Sequence, residues 1–216
     1  MKRRTLLMAA AAWPAWVRAA PAALIAAAEA GDVAALRRLL DAGTPVDARD
    51  ARKRTALLAA THANRIDAAR LLIERGANVN AKDAIEDSPF LYAGAEGRLD
   101  ILRLSLAAGA DLKSTNRYGG TALIPAAHHG HVETVRELLK TTIDIDHVNR
   151  LGWTALLEAI ILGDGGRSHT EIVRLLVARG ANVNLADAQG VTPLAHARQR
   201  GQVEIGELLR RAGARP

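Results

Sequence analysis

The residues of this 216-residue chain best suited to chemistry are histidines and carboxylates, because it contains no cysteine. Disulfides, thiol nucleophiles and thiolate metal sites are thereby excluded. Three local patterns invite a chemical reading. His128-His129-x-His131 offers three imidazoles, yet no carboxylate stands at the spacing of a known ligand set. Asp144-Ile-Asp146-His147 stands where Asn78-Val-Asn80 and Asn182-Val-Asn184 stand elsewhere in the chain, and suits turn formation better than calcium binding. Gly163-Asp-Gly-Gly166 follows a helical pattern rather than a strand and lacks the Gly-Lys-Ser/Thr ending of a phosphate loop. No serine sits in a Gly-x-Ser-x-Gly elbow. Nothing assembles a nucleophile, a base and an oxyanion hole, so neither catalysis nor a metal or other cofactor is expected.

The elements that would position these residues follow a repeat. Residues 116–140 read as a turn with Gly119-Gly120, a short apolar helix, a break at Gly130, and a second helix with apolar Val132, Val135, Leu138 and Leu139. The segment Thr121-Ala-Leu-Ile124 recurs as Thr55-Ala-Leu-Leu58, Ser88-Pro-Phe-Leu91, Thr154-Ala-Leu-Leu157 and Thr192-Pro-Leu-Ala195, at spacings of 33, 33, 33 and 38 residues. Gly43, Gly76 and Gly109 keep the same period; position 142 is Thr, and Gly180 and Gly213 resume the register. A glycine just past a Leu-rich helix is the expected stop, since the left-handed conformation there carries no Cβ penalty. Two markers of one period predict a stack of helical hairpins. The 38-residue interval contains the one insertion, Asp164-Gly165-Gly166-Arg167-Ser168, expected to form a longer loop between the two helices of its repeat. That loop either walls a binding site or is a tolerated surface insertion, since lengthening a loop costs little.

Asp187-Ala-Gln-Gly-Val-Thr-Pro-Leu194, Gly130-His-Val-Glu133, Glu171-Ile-Val-Arg-Leu-Leu176 and Gly180-Ala-Asn-Val-Asn184 resemble the ankyrin repeat, over residues 22–216. The resemblance implies an all-α solenoid of about six repeats, near 22–48, 49–81, 82–114, 115–147, 148–185 and 186–216, each a β-turn finger followed by two antiparallel helices. It gives His131 a structural reading. One departure stands out: where the family carries His after Thr-Pro-Leu, this chain has Ile25, Leu58, Leu91, Ile124, Leu157 and Ala195. The family binds partner proteins through finger tips and the ends of first helices. Carried over, those positions single out Tyr92, Glu96, Tyr118, His128, His129, Trp153, Glu158, Ile161 and Leu162. Aromatic residues are only 3% of the chain, and past residue 19 only Phe90, Tyr92, Tyr118 and Trp153 remain; three of these four fall at groove positions. Tyr and Trp commonly anchor interfaces; the alternative is that they pack between neighbouring fingers.

Residues 1–19 stand outside the repeat. Met1-Lys-Arg-Arg4, an alanine-rich apolar run and Val17-Arg-Ala19 read as an export signal cut after Ala19. The run is too short to span a membrane. Arg3-Arg4-x-Leu6-Leu7 resembles a twin-arginine signal; a general secretory signal is the alternative. The stretch holds four basic residues and no acid, so removing it leaves 25 basic against 23 acidic residues, a net of +2 rather than +6. With arginines alternating with acids along the outer helices, no basic stripe for nucleic acid is expected. The chain is similar to exported bacterial ankyrin proteins, which implies a periplasmic scaffold that regulates or inhibits a partner enzyme. Alternatives are support of oxidative-stress enzymes, or small-molecule binding at His128, His129 and Glu158. A monomer is expected, with self-association through Trp153, Ile161 and Leu162 as the other possibility.

Overall fold

The computed structural model describes residues 15–215. Residues 1–14 of the expected export signal lie outside the described residues. Twelve helices form six antiparallel pairs among the described residues: α1 (Ala15–Ala30) with α2 (Val33–Asp41), α3 (Ala56–His62) with α4 (Ile66–Glu74), α5 (Pro89–Ala95) with α6 (Leu99–Ala107), α7 (Leu123–His128) with α8 (Val132–Leu138), α9 (Ala155–Ile161) with α10 (Arg167–Ala178), and α11 (Pro193–Gln199) with α12 (Val203–Arg211). The first helices stack on one another in one layer and the second helices in another. The fold is the all-helical solenoid of the sequence reading, and no described helix is long and apolar enough to cross a membrane. The expected cut after Ala19 falls inside α1, whose buried Leu24, Ile25, Ala27 and Ala28 lie beyond it.

Four of the six first helices begin where a small hydroxyl caps them. The side chains of Thr55, Ser88, Thr154 and Thr192 accept the backbone N–H of Leu58, Leu91, Leu157 and Ala195, each at 3.2 Å. Repeat four breaks this pattern. Its Pro125 has no N–H to give the Thr121 carbonyl, which is taken instead by Ile124 N at 3.2 Å. Helix α7 then starts only at Leu123, and the Thr121 hydroxyl is buried without a partner.

The second helices end on glycine where the period predicts it. Gly76 at φ +84° sends its N–H to Ile73 O (2.9 Å) while Ala77 N–H reaches Leu72 O (3.0 Å), the paired bonds of a Schellman end. With Thr at 142, α8 stops early at Leu138, whose carbonyl accepts both the Thr141 N–H and the Thr141 hydroxyl.

The fingers are built on a repeated Asx turn. Asp50, Asp83, Asn116, Asn149 and Asp187 each use Oδ1 to accept the N–H groups two and four residues on, at 2.8–3.0 Å. Neighbouring fingers join through backbone bonds, Ala84 N–H to Arg52 O and Arg150 N–H to Tyr118 O, both 2.9 Å. Asp146, in the stretch considered for calcium, accepts the Asn182 N–H across to the next repeat.

The insertion differs from its expected form. Arg167 and Ser168 are not loop residues but the first turn of α10, which reaches twelve residues as a result. Only Leu162–Gly166 connects α9 to α10. His169 fastens this connection: its Nδ1 meets Asp164 Oδ1 at 2.7 Å, and its Nε2 donates to the His128 carbonyl of repeat four at 2.8 Å.

The outer helices pair across repeats as well as within them. Glu133 and Arg136 meet at 3.4 Å within α8, as the spacing predicts, whereas no such pair joins Asp67 and Arg70 among the described residues. Larger in extent is the ladder between helices: Arg75–Asp41 at 2.8 Å, and Arg103–Glu137, Arg136–Glu171 and Arg174–Glu204 each at 3.2 Å.

Candidate functional site

Three consecutive repeats enclose a pocket of about 400 Å³ between fingers and first helices. The fingers contribute Asp87, Arg117, Tyr118 and Leu151; α5 and its end contribute Tyr92 and Glu96; α7 and its end contribute Pro125, His128 and His129; α9 and its end contribute Glu158 and Leu162. Stacked repeats bring them together because each repeat delivers the same backbone positions to the same face.

Glu158 is the most enclosed charged group there, at 6% exposure. Its Oε1 accepts from Asn149 Nδ2 at 2.8 Å. Its Oε2 accepts no hydrogen bond from the described residues; His128 Nδ1 stands off at 3.8 Å. Burial pushes the Glu158 carboxyl above the usual carboxylate range, with the Asn149 bond opposing. Burial likewise depresses His128, aided by the neighbouring imidazoles His129 and His169, so the pair carries no strong ionic bond at neutral pH. Asp87 is raised by burial against the pull of Arg117, whose Nη1 lies 3.6 Å away. Arg117 also lies over the Tyr118 ring, 5.1 Å from its centroid.

The histidine run is arranged for packing. His128 and His129 are 4.5 Å apart and His129 and His131 5.8 Å apart, centroid to centroid. His129 Nδ1 is bound to Ala95 O at 2.7 Å, which takes that nitrogen out of play as a ligand. On the neighbouring repeat, His62 stacks on Tyr92 at 4.0 Å.

Of the residues singled out from sequence, Tyr92, Glu96, Tyr118, His128, His129, Glu158 and Leu162 line this pocket. Trp153 and Ile161 do not. Trp153 lies past the finger tip, where its N–H is bound to Asn149 Oδ1 and its carbonyl accepts the Asn149 N–H, and it is half-buried. Leu151, at the tip, faces the pocket instead. The insertion residues Asp164, Gly165, Gly166, Arg167 and Ser168 are also absent from the lining, so the loop does not wall this pocket, and repeat five contributes Glu158 and Leu162 from α9 and its end instead. Sequence reasoning passed over Asn149 and Arg117. Asn149 had a legible signal: it stands nine residues before Glu158, as Asp187 stands nine before His196, and that pair also bonds, at 2.7 Å.

Comparison with known proteins agrees with this architecture. The family model described as ankyrin repeats (3 copies) matches residues 16–83 and 90–187. The ankyrin repeat protein YahD of Escherichia coli K12 is 53% identical over 57 residues; the match spans 26% of this chain and only 28% of YahD. Among solved structures, an ankyrin repeat domain from Acinetobacter baumannii AYE is 60% identical with a TM-score of 0.87, covering 89% of this chain and 98% of that one. The ankyrin repeat protein EF0377 is 42% identical with a TM-score of 0.85, covering 88% and 97%.

Proposed function

Since the chain belongs to the ankyrin-repeat family, whose members are generally non-enzymatic interaction modules, we propose that it is a protein-binding scaffold acting through the groove of repeats three to five. One observation carries this reading. Of the six large apolar side chains left exposed among the described residues, Tyr118, Leu151 and Leu162 line the single pocket just described. Apolar side chains gathered on an otherwise polar surface mark an interaction site. A tyrosine beside a concave pocket is the usual anchor of one.

The export signal read at residues 1–19 places the scaffold in the periplasm in this proposal, with a periplasmic enzyme as the partner that it regulates or inhibits. The test is capture from a periplasmic extract with the unmutated chain and with Tyr118→Ala/Leu151→Ala, two exposed positions whose truncation leaves the core intact. Loss of one stoichiometric partner on the double substitution supports the groove. Equal retention by both forms removes it. The pocket volume also favours a second reading, a small molecule at His128, His129 and Glu158, since ligand pockets commonly span about 300–1,000 Å³; it predicts thermal stabilisation of the purified chain by a ligand without any protein partner.

A further inference from the structure

The charges of the pocket are not balanced from within. Three carboxylates line it, Asp87, Glu96 and Glu158, against one permanent cation, Arg117. Arg117 is committed to Asp87 and to the Tyr118 ring. Glu96 makes no ion pair within the described residues. Glu158 is more than nine-tenths buried and lines the pocket; one oxygen is held by Asn149, and the other takes no hydrogen bond from the described residues and keeps access to solvent. A donor that enters the pocket meets this oxygen in a largely dehydrated surrounding, where a charge-assisted bond is stronger than in open water. The remaining lining combines Tyr92, Tyr118, Leu151 and Leu162 with the imidazoles of His128 and His129 and the amides of Asn116 and Asn149.

Building on the scaffold reading, we infer that this pocket receives the cationic side chain of an arginine in the partner protein, its guanidinium held between Glu158 and Glu96 and its stem against Tyr118. Arginine fits on three grounds. Its planar fork donates to carboxylates in pairs, its face stacks on tyrosine, and it is weakly hydrated enough to enter a half-buried site. The flanking residues of an extended partner segment then lie along the finger tips. There Ile85, Tyr118 and Leu151 occupy equivalent positions in successive repeats and are 52%, 53% and 49% exposed. Charge supplies orientation in this arrangement and the apolar ridge supplies contact area.

The experiment is a two-dimensional NMR titration of the isotopically labelled full chain with the peptide acetyl-Leu-Ser-Arg-Ser-Leu-amide and with its twin carrying citrulline, which keeps the shape and loses the charge. The arginine peptide is expected to shift the amide signals of Gly120, Glu158 and Leu162, and the twin to bind at least roughly tenfold more weakly, as befits a lost charge-assisted bond. Glu158→Gln, which retains an oxygen for Asn149 and so the local fold, is expected to weaken the arginine peptide to a similar degree while leaving the thermal midpoint of the chain near its original value. Equal binding of both peptides, shifts centred elsewhere, or no shifts up to millimolar peptide overturns the inference. The scaffold reading fails separately: a captured protein that depends on Tyr118 and Leu151 but ignores Glu158→Gln leaves the groove standing and removes only the arginine.

Discussion

Gly163 shows how much one missing methyl group can decide. A Cβ there would overlap the Ala159 carbonyl oxygen and come within 2.5 Å of the His169 ring. Backbone cannot yield as a flexible side chain can, so Gly163→Ala is expected to destabilise by about 1–3 kcal/mol, the usual range for overpacking, read as a fall in the urea midpoint. Three histidines oppose folding as acid is added. Burial holds His62, His128 and His131 below their ordinary value, and His62 Nε2 is buried without a bond. A histidine held neutral in the folded chain contributes stability that is present above its unfolded pKa, about 6.5, and is lost as pH falls through the depressed folded value. The raised Glu158 and Asp87 act in the opposite sense, favouring the folded chain at low pH and losing that contribution as pH rises through their folded values. The histidine contribution to the urea midpoint is therefore expected to fall from pH 7.5 to pH 5.5, so that His62→Gln makes the midpoint less sensitive to pH over that range. An imidazole signal of His62 that titrates at or above the ordinary value would refute this.

At the scale of the element, identical sequence signals do different things. Thr55 and Thr121 begin the same four-residue pattern, yet only Thr55 caps its helix. Thr55→Ala is expected to cost about 1 kcal/mol, the typical loss of a hydroxyl N-cap. Thr121→Ala removes a hydroxyl that bonds nothing, and is expected to cost clearly less; chemical denaturation of the two variants side by side decides it. The reason is Pro125, visible in the sequence, whose effect on the cap four residues earlier is a matter of backbone accounting and not of pattern. The same distinction explains what the sequence disclosed. Helix pairs and their ends were legible because Thr, Gly and Leu recur at one period. The start of α10 was not, because Gly165-Gly166 reads as loop while the helix resumes immediately after it, at Arg167. Of the two finger positions Leu151 and Trp153, only Leu151 lines the pocket, because it stands at the tip while Trp153 is tied back to Asn149.

Among the described residues, cohesion runs chiefly between neighbouring repeats, through stacked helices inside and ion pairs outside. Glu171 sits at a junction of the outer ladder, meeting Arg136 of α8 and Arg174 of its own helix, while Arg174 reaches on to Glu204 of α12. These side chains are substantially exposed, so Glu171→Gln is expected to cost less than about 1 kcal/mol. Because screening falls on such pairs first, that cost should shrink further between 0.05 and 0.5 M salt, as measured by thermal unfolding. The longer repeat five has another bearing on the array. Its His169 reaches back to the His128 carbonyl, while Gln202 of repeat six reaches back to Ile160 O and packs over the position of Gly165. Duplication, deletion or transplantation of units along the gene is thus neutral to register in the 33-residue portion, but a copy of repeat five set elsewhere would lose the Gln202 side chain that packs at Gly165. Lineages descended from this gene should gain or shed repeats two to four freely, and carry five and six as an inherited block.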